Sequence, residues 1–172
     1  MGRVKQYLRE ELLDRAVELF RRHGYHATTT AGLVAELGVN RKSMYAEFGS
    51  KQDLFEAVLD HYDRNHLSRV LAPLESPAAG ADTIRRAFEG YAAASEGKFR
   101  GLGCLMCNTA CERGALAPGS LAYVDSYLAR LEAAFRGALE NAVESGEIDS
   151  HADVDRLAAF FTMSLIGVAA CV

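Results

Sequence analysis

The chain has only three prolines, and Pro73, Pro77 and Pro118 all fall where a helical pattern breaks off. It has no alternating apolar and polar run long enough for a half-buried strand, which argues against a sheet. No apolar stretch approaches the roughly 20 residues of a bilayer-spanning helix. The first residues are charged and then amphipathic, not the pattern of a secretory leader. Internal repeats and low-complexity tracts are missing. So are a phosphate-cradling glycine loop, a Ser-His-Asp arrangement and paired catalytic carboxylates, so no enzyme, cofactor or metal site is expected. What is present is helical periodicity, with 49% apolar and 24% charged residues in 172. That is enough for one or two compact all-α units with a core, in a cytoplasmic protein.

Residues 24–54, GYHATTTAGLVAELGVNRKSMYAEFGSKQDL, carry the most information. Thr29 or Thr30 can cap a short helix whose Leu33, Val34 and Leu37 form one apolar face. Gly38 supplies the left-handed stop, and Val39 plugs the angle. Asn40 caps a second short helix that turns Met44, Tyr45 and Phe48 inward and leaves Arg41, Lys42 and Ser43 on its outer N-terminal edge. In a helix-turn-helix that edge enters the major groove of DNA. Arg and Lys can pair with guanine edges there. Charge agrees: residues 1–51 carry nine Lys and Arg against six Asp and Glu, while residues 52–172 carry ten against seventeen. A basic head on an acidic body lets phosphates bind one end only.

This stretch resembles the TetR family of one-component regulators, through Gly24, Thr28, Thr29, Gly38, Val39, Tyr45, Phe48, Ser50 and Lys51 at matching spacing. Gly32 departs from a frequent Glu, Lys42 from a frequent Gly and Glu47 from a frequent His, so the operator sequence cannot be carried over. The resemblance implies a helix-turn-helix domain over residues 1–49 and a helical regulatory and dimerisation domain over 50–172. It implies DNA contacts at Thr28, Thr29, Asn40, Arg41, Lys42, Ser43, Tyr45 and Lys51, with Tyr45, Lys51 and Thr28 or Thr29 on phosphates. It also implies a homodimer through the C-terminal helices and an operator palindrome; relatives usually carry one more helix, which residues 50–172 are expected to lack.

The remaining pattern predicts helices over 4–23 (Leu8, Leu12, Ala16, Val17, Leu19, Phe20), from Ser50 to about Leu71 behind a Ser50–Asp53 capping box, and over 81–96. Others are expected over 103–113 and from Ser120 to Ser145, with Pro118-Gly119 as a break. A last segment from Asp153 is apolar almost all round and needs cover on every side. Residues 97–102 are punctuated by glycine. An effector cavity is expected among Phe88, Tyr91, Met106, Cys107, Tyr127 and Phe161, which could equally be solid core. A small apolar or aromatic molecule would fit it, releasing a repressor from its operator.

Cys104, Cys107 and Cys111, at i, i+3 and i+7, would share one helical stripe. Core packing is the leading reading; a thiol sensor or soft-metal site is the alternative. Cysteines at i and i+3 of a regular helix seldom reach disulfide geometry. His61 and His66 are five apart and make no metal pair. His23, His26 and His151 read as helix-end or surface residues, and Arg85-Arg86 as a solvated face. Three competing readings remain: a helical dimer that works by protein contacts without DNA, a Cys-thiolate hydrolase, which lacks a positioned His, and an activator in place of a repressor.

Overall fold

The computed structural model describes residues 2–96 and 101–171. Among them there is no strand, and no helix is long and apolar enough to cross a membrane. Helix α1 (Gly2–Ala27) is interrupted at Gly24, whose φ of 73° breaks the helical path, so the expected stop is a kink followed by a short last turn. The side chain of Leu8 lies outside the described residues. Helix α2 (Thr30–Leu37) is capped by Thr29, whose Oγ1 accepts from the Gly32 amide at 3.1 Å. Gly38 then turns the chain at φ 66°, ψ 26°, a left-handed conformation in which a Cβ would be strained. Helix α3 (Arg41–Phe48) starts on Asn40, whose Oδ1 accepts from the Ser43 amide at 2.8 Å. Leu33, Leu37, Met44 and Phe48 are buried against Leu13, Ala16 and Phe20 of α1.

Helix α4 (Lys51–Tyr62) carries the predicted capping box: Asp53 N donates to Ser50 Oγ at 3.1 Å and Ser50 N to Asp53 Oδ2 at 2.8 Å. It reaches Leu71 as expected, but not as one regular helix. A π-helical turn, Asp63–Leu67, intervenes before α5 (Ser68–Leu71). Such turns insert a residue into the helical ladder and change its direction. Phe20, Tyr25 and Phe55 stack at the junction of α1 and α4, with ring centroids 4.6 to 6.4 Å apart.

The body follows. Helix α6 (Ala81–Glu96) matches its predicted span. Of the glycine-punctuated stretch 97–102, only Gly101 and Leu102 are described. Helix α7 (Leu105–Cys111) is short. Helix α8 (Pro118–Glu144) corrects an expectation: Pro118 begins the helix, because its missing N–H belongs to the first turn, where no partner is needed. Helix α9 (Val154–Cys171) packs along α8. It buries Ala158, Leu165 and Ala169, yet leaves Phe160 61% and Met163 68% exposed. The apolar surround read from sequence is therefore half covered within one chain.

Candidate nucleic-acid interface and the helix that ties it to the body

The outer edge of α3 is held open by its own cap. Asn40 uses its side-chain oxygen on the Ser43 amide, and Arg41, Lys42 and Ser43 stand exposed in the first turn. Arg41 lies over the Tyr45 ring, 5.5 Å from its centroid, which fixes a long side chain along the helix. The Tyr45 hydroxyl sits 3.2 Å from Thr30 Oγ1, bridging α3 to α2. That hydrogen bond and the Arg41 charge hold the phenol below its usual range. Its ring is half-buried, so packing and an outward hydroxyl coexist.

The expected phosphate residues separate. Thr29 is exposed at the start of α2. Thr28 is buried, and its hydroxyl donates to the Gly24 carbonyl at 2.6 Å, so it braces the turn. Lys51 is half-buried with Nζ 4.3 Å from the centre of the Tyr25 ring. Burial lowers its pKa, and the nearby Glu112 opposes that shift. Glu47, which departs from the family pattern, pairs with Arg9 at 3.4 Å.

Helix α7 touches this head at both ends, which sequence reasoning did not anticipate. At its C-terminal end Glu112 accepts from the backbone amides of Tyr25 at 2.9 Å and His26 at 2.8 Å, just beyond the Gly24 kink. At its N-terminal end Arg21 Nε donates to the Gly103 carbonyl at 2.8 Å. Asn108 Nδ2 donates to the Leu102 carbonyl at 2.9 Å and the Arg21 carbonyl at 3.3 Å. The Cys104 amide donates to the Ala169 carbonyl of α9 at 2.9 Å.

The body holds a cavity of about 710 Å3, but not where the sequence placed it. Val70, Leu71, Leu74, Ala87, Tyr91 and Leu165 form its apolar wall, with His66 and Arg86 among the polar groups. Of the six expected residues only Tyr91 lines it. Phe88 and Phe161 pack on Phe135 at 6.2 and 5.9 Å between ring centroids. Met106, Cys107 and Tyr127 are buried in the core. His66 stacks on Tyr62 at 4.8 Å, and burial with the Arg21 and Arg69 charges lowers its pKa. His61 is buried with Nε2 2.7 Å from Asp14 Oδ1. Arg86 pairs with Asp82 at 2.7 Å on an exposed face.

The cysteines do not form one stripe. Cys104 precedes the helix, with extended φ −88° and ψ 129°, at the N-cap of α7. Cys107 is in the first turn and buried; Cys111 is exposed. Among the described residues no group of three or more His, Cys, Asp or Glu could hold a metal ion.

Comparison with known proteins agrees with this architecture. Residues 12–58 match the profile described as bacterial regulatory proteins, tetR family, and residues 80–171 match the tetracyclin repressor-like C-terminal domain. The chain is 30% identical over 169 residues to the uncharacterized HTH-type transcriptional regulator YezE of Bacillus subtilis, covering 98% of this chain and 87% of the relative. It is 34% identical over 173 residues to the HTH-type transcriptional repressor ComR of Escherichia coli, covering 97% and 80%. A TetR family regulator from Agrobacterium tumefaciens superposes with a TM-score of 0.82 at 20% identity, covering 94% and 85%. A cysteine mutant of the regulator CifR, complexed with 26-bp operator DNA, superposes at 0.79 with 24% identity, covering 94% and 84%. With its head, its body and nearly its whole length matched in this way, the chain belongs to the TetR family of bacterial transcriptional regulators.

Proposed function

We propose that the protein is a cytoplasmic repressor that grips a palindromic operator as a homodimer and releases it when a small apolar or aromatic effector enters the body. The observation that carries this reading is the exposed, cap-fixed edge Arg41-Lys42-Ser43 on a basic head. Arg41 and Lys42 have the chemistry to read guanine edges, and Asn40 and Ser43 border them. Thr29, Lys51 and the Tyr45 hydroxyl are assigned to phosphates. Thr28 supports that edge from inside. Residues 1–49 form the reading unit and 50–172 the regulatory one. The naming of ComR as a repressor supports the sign of regulation.

Dimerisation is supported by the open face of α9, where Phe160, Met163 and Val168 are exposed together. A twofold pair would present two α3 edges to one duplex. The cavity size suits a small ligand, since such sites run to roughly 300–1,000 Å3. It borders α5 and the π turn, so an occupant pushes on the helix that joins head and body. The effector must favour the DNA-incompetent arrangement, or it shifts nothing.

The test is a titration of duplex from the gene's own upstream region, chosen for an inverted repeat. Two protomers should bind per repeat, with affinity falling steeply as salt rises from about 50 to 200 mM. Absence of binding at low salt would leave a helical dimer that acts through protein contacts and would refute the DNA reading.

A further inference from the structure

We propose that Cys104 and Cys107 form a redox modification site, a dithiol that hydroperoxides close to a disulfide, and that closure loosens the hold of α7 on the DNA-reading head. The pair has the Cys-x-x-Cys spacing, and its placement differs from two cysteines on a regular helix. Cys104 is the extended N-cap residue of α7 and Cys107 occupies the helix's third position. The first sulphur therefore lies off the helical path. The Tyr62 hydroxyl donates to Cys104 Sγ at 3.8 Å. The Cys107 thiol, the local amides and Tyr62 together hold the Cys104 thiol down to about 6. Cys107 is pushed the other way, by its hydrogen bond to Cys104 and by burial. One sulphur is thus poised to attack and its neighbour to resolve.

The chemistry balances with hydrogen peroxide as oxidant. The Cys104 thiolate attacks the peroxide oxygen; an S–O bond forms, the O–O bond breaks, and the leaving hydroxide is protonated to water. Sulphur is oxidised by two electrons to a sulfenic acid. Cys107 then attacks that sulphur, its proton leaves with the hydroxyl as a second water, and the S–S bond forms. Both sulphurs are buried, so the oxidant must be small. Tyr91 lines the 710 Å3 cavity on one side and is close enough to both thiols to feel their charge.

The consequence follows from what adjoins the pair. The Gly103 carbonyl, one residue before Cys104, receives Arg21 of α1, and Asn108, one residue after Cys107, reaches the Arg21 carbonyl. A bond between N-cap and first turn must re-aim the peptide that holds Arg21.

The experiment treats the reduced full-length chain with hydrogen peroxide, maps disulfides by peptide mass after alkylation, and measures operator affinity and helicity on the same samples. The expected result is a Cys104–Cys107 crosslink, unchanged helicity and a loss of affinity of roughly 5–150-fold, reversed by dithiothreitol. Cys111→Ser should respond like the parent. Cys104→Ser and Cys107→Ser should bind when reduced and ignore peroxide, with Cys107→Ala as a substitute if the serine variant fails to fold. A crosslink through Cys111, a Cys104–Cys107 disulfide without change in affinity, a response that survives Cys107→Ser, or loss of affinity through unfolding would each overturn the proposal. Disulfide mapping does not depend on DNA, so a reduced chain that ignores the operator would fail the proposed function and leave this crosslink test standing.

Discussion

Replacing Glu112 with Gln tests whether α7 really braces the DNA-reading head. The carboxylate accepts two backbone amides, Tyr25 N at 2.9 Å and His26 N at 2.8 Å, each from its own oxygen. Gln keeps one acceptor and aims an amide nitrogen at the other N–H, so one charge-assisted bond is lost and the second becomes neutral. Hydrogen bonds to charged groups contribute about 1.5–3 kcal/mol and neutral ones about half that. The His26 amide faces solvent and can turn to water, which reduces the net loss to about 1–2 kcal/mol. In a chain of this length each kcal/mol moves Tm by about 2–4 °C, so a fall of roughly 2–8 °C is expected in a thermal melt. Operator affinity should fall as well, because Lys51 lies over Tyr25 and loses the charge that opposes its desolvation. The complementary change, Gly24→Ala, places a Cβ 2.0 Å from Glu112 Oε1 at a φ of +73° and should be more damaging. A Glu112→Gln protein with unchanged Tm and operator affinity would refute the bracing role.

Arg41→Ala should weaken specific binding by about 1–3 kcal/mol and relax base preference at one operator position, as read by competition with single-base variants; undiminished selectivity would remove Arg41 from the reading set. Lys51→Ala should weaken binding to all sequences alike and reduce the slope of log affinity against log salt by about 1; a loss confined to the operator would contradict a phosphate contact. Met163→Arg puts a charge on the open face of α9, where Met163 is 68% exposed, so each protomer should stay folded while size-exclusion chromatography shifts from dimer to monomer; an unaltered dimer would place the interface elsewhere. Ser50→Ala removes a donor that holds the Asp53 carboxyl below its ordinary range. A depressed carboxylate stabilises above its unfolded pKa and loses that effect as pH falls through the folded value. The Tm deficit of Ser50→Ala should therefore be largest near neutral pH and shrink on acidification; a pH-independent deficit would count against the cap.

The head was legible because its determinants are local. Thr29, Gly38, Asn40 and the Ser50–Asp53 pair act within three or four residues, and each cap formed as its spacing required. Pro118 was misread because proline both breaks a helix and suits its first position, and only the following chain decides which. The cavity was illegible for another reason. Periodicity identifies an apolar face but not whether the facing helix touches it. Phe88, Phe135 and Phe161 meet ring to ring and close the expected space, while the shorter side chains Ala87 and Val70 leave room one face over. The α7 braces join residues 82 to 87 apart in sequence, a separation at which no spacing rule operates.

Those braces also give so short a helix two points of contact with the head. The aromatic junction of Phe20, Tyr25 and Phe55 buries large rings, and opening it would undo much of the α1–α4 core. The polar contacts of α7 are different in scale. Each is worth about 0.5–3 kcal/mol, and they fall into two separate groups, one at Gly103 and one at Glu112. Coupling between distant sites typically amounts to about 1–3 kcal/mol, so releasing one group alone supplies the required energy. The cysteine pair adjoins the first group, and Tyr91, which feels the charge of both thiols, also lines the cavity. Under the two proposals, either input would change the pose of the head while its core stays packed. A Glu112→Gln, Cys104→Ser double variant then has a defined expectation: it should melt like Glu112→Gln alone, because the group at Gly103 still holds Arg21.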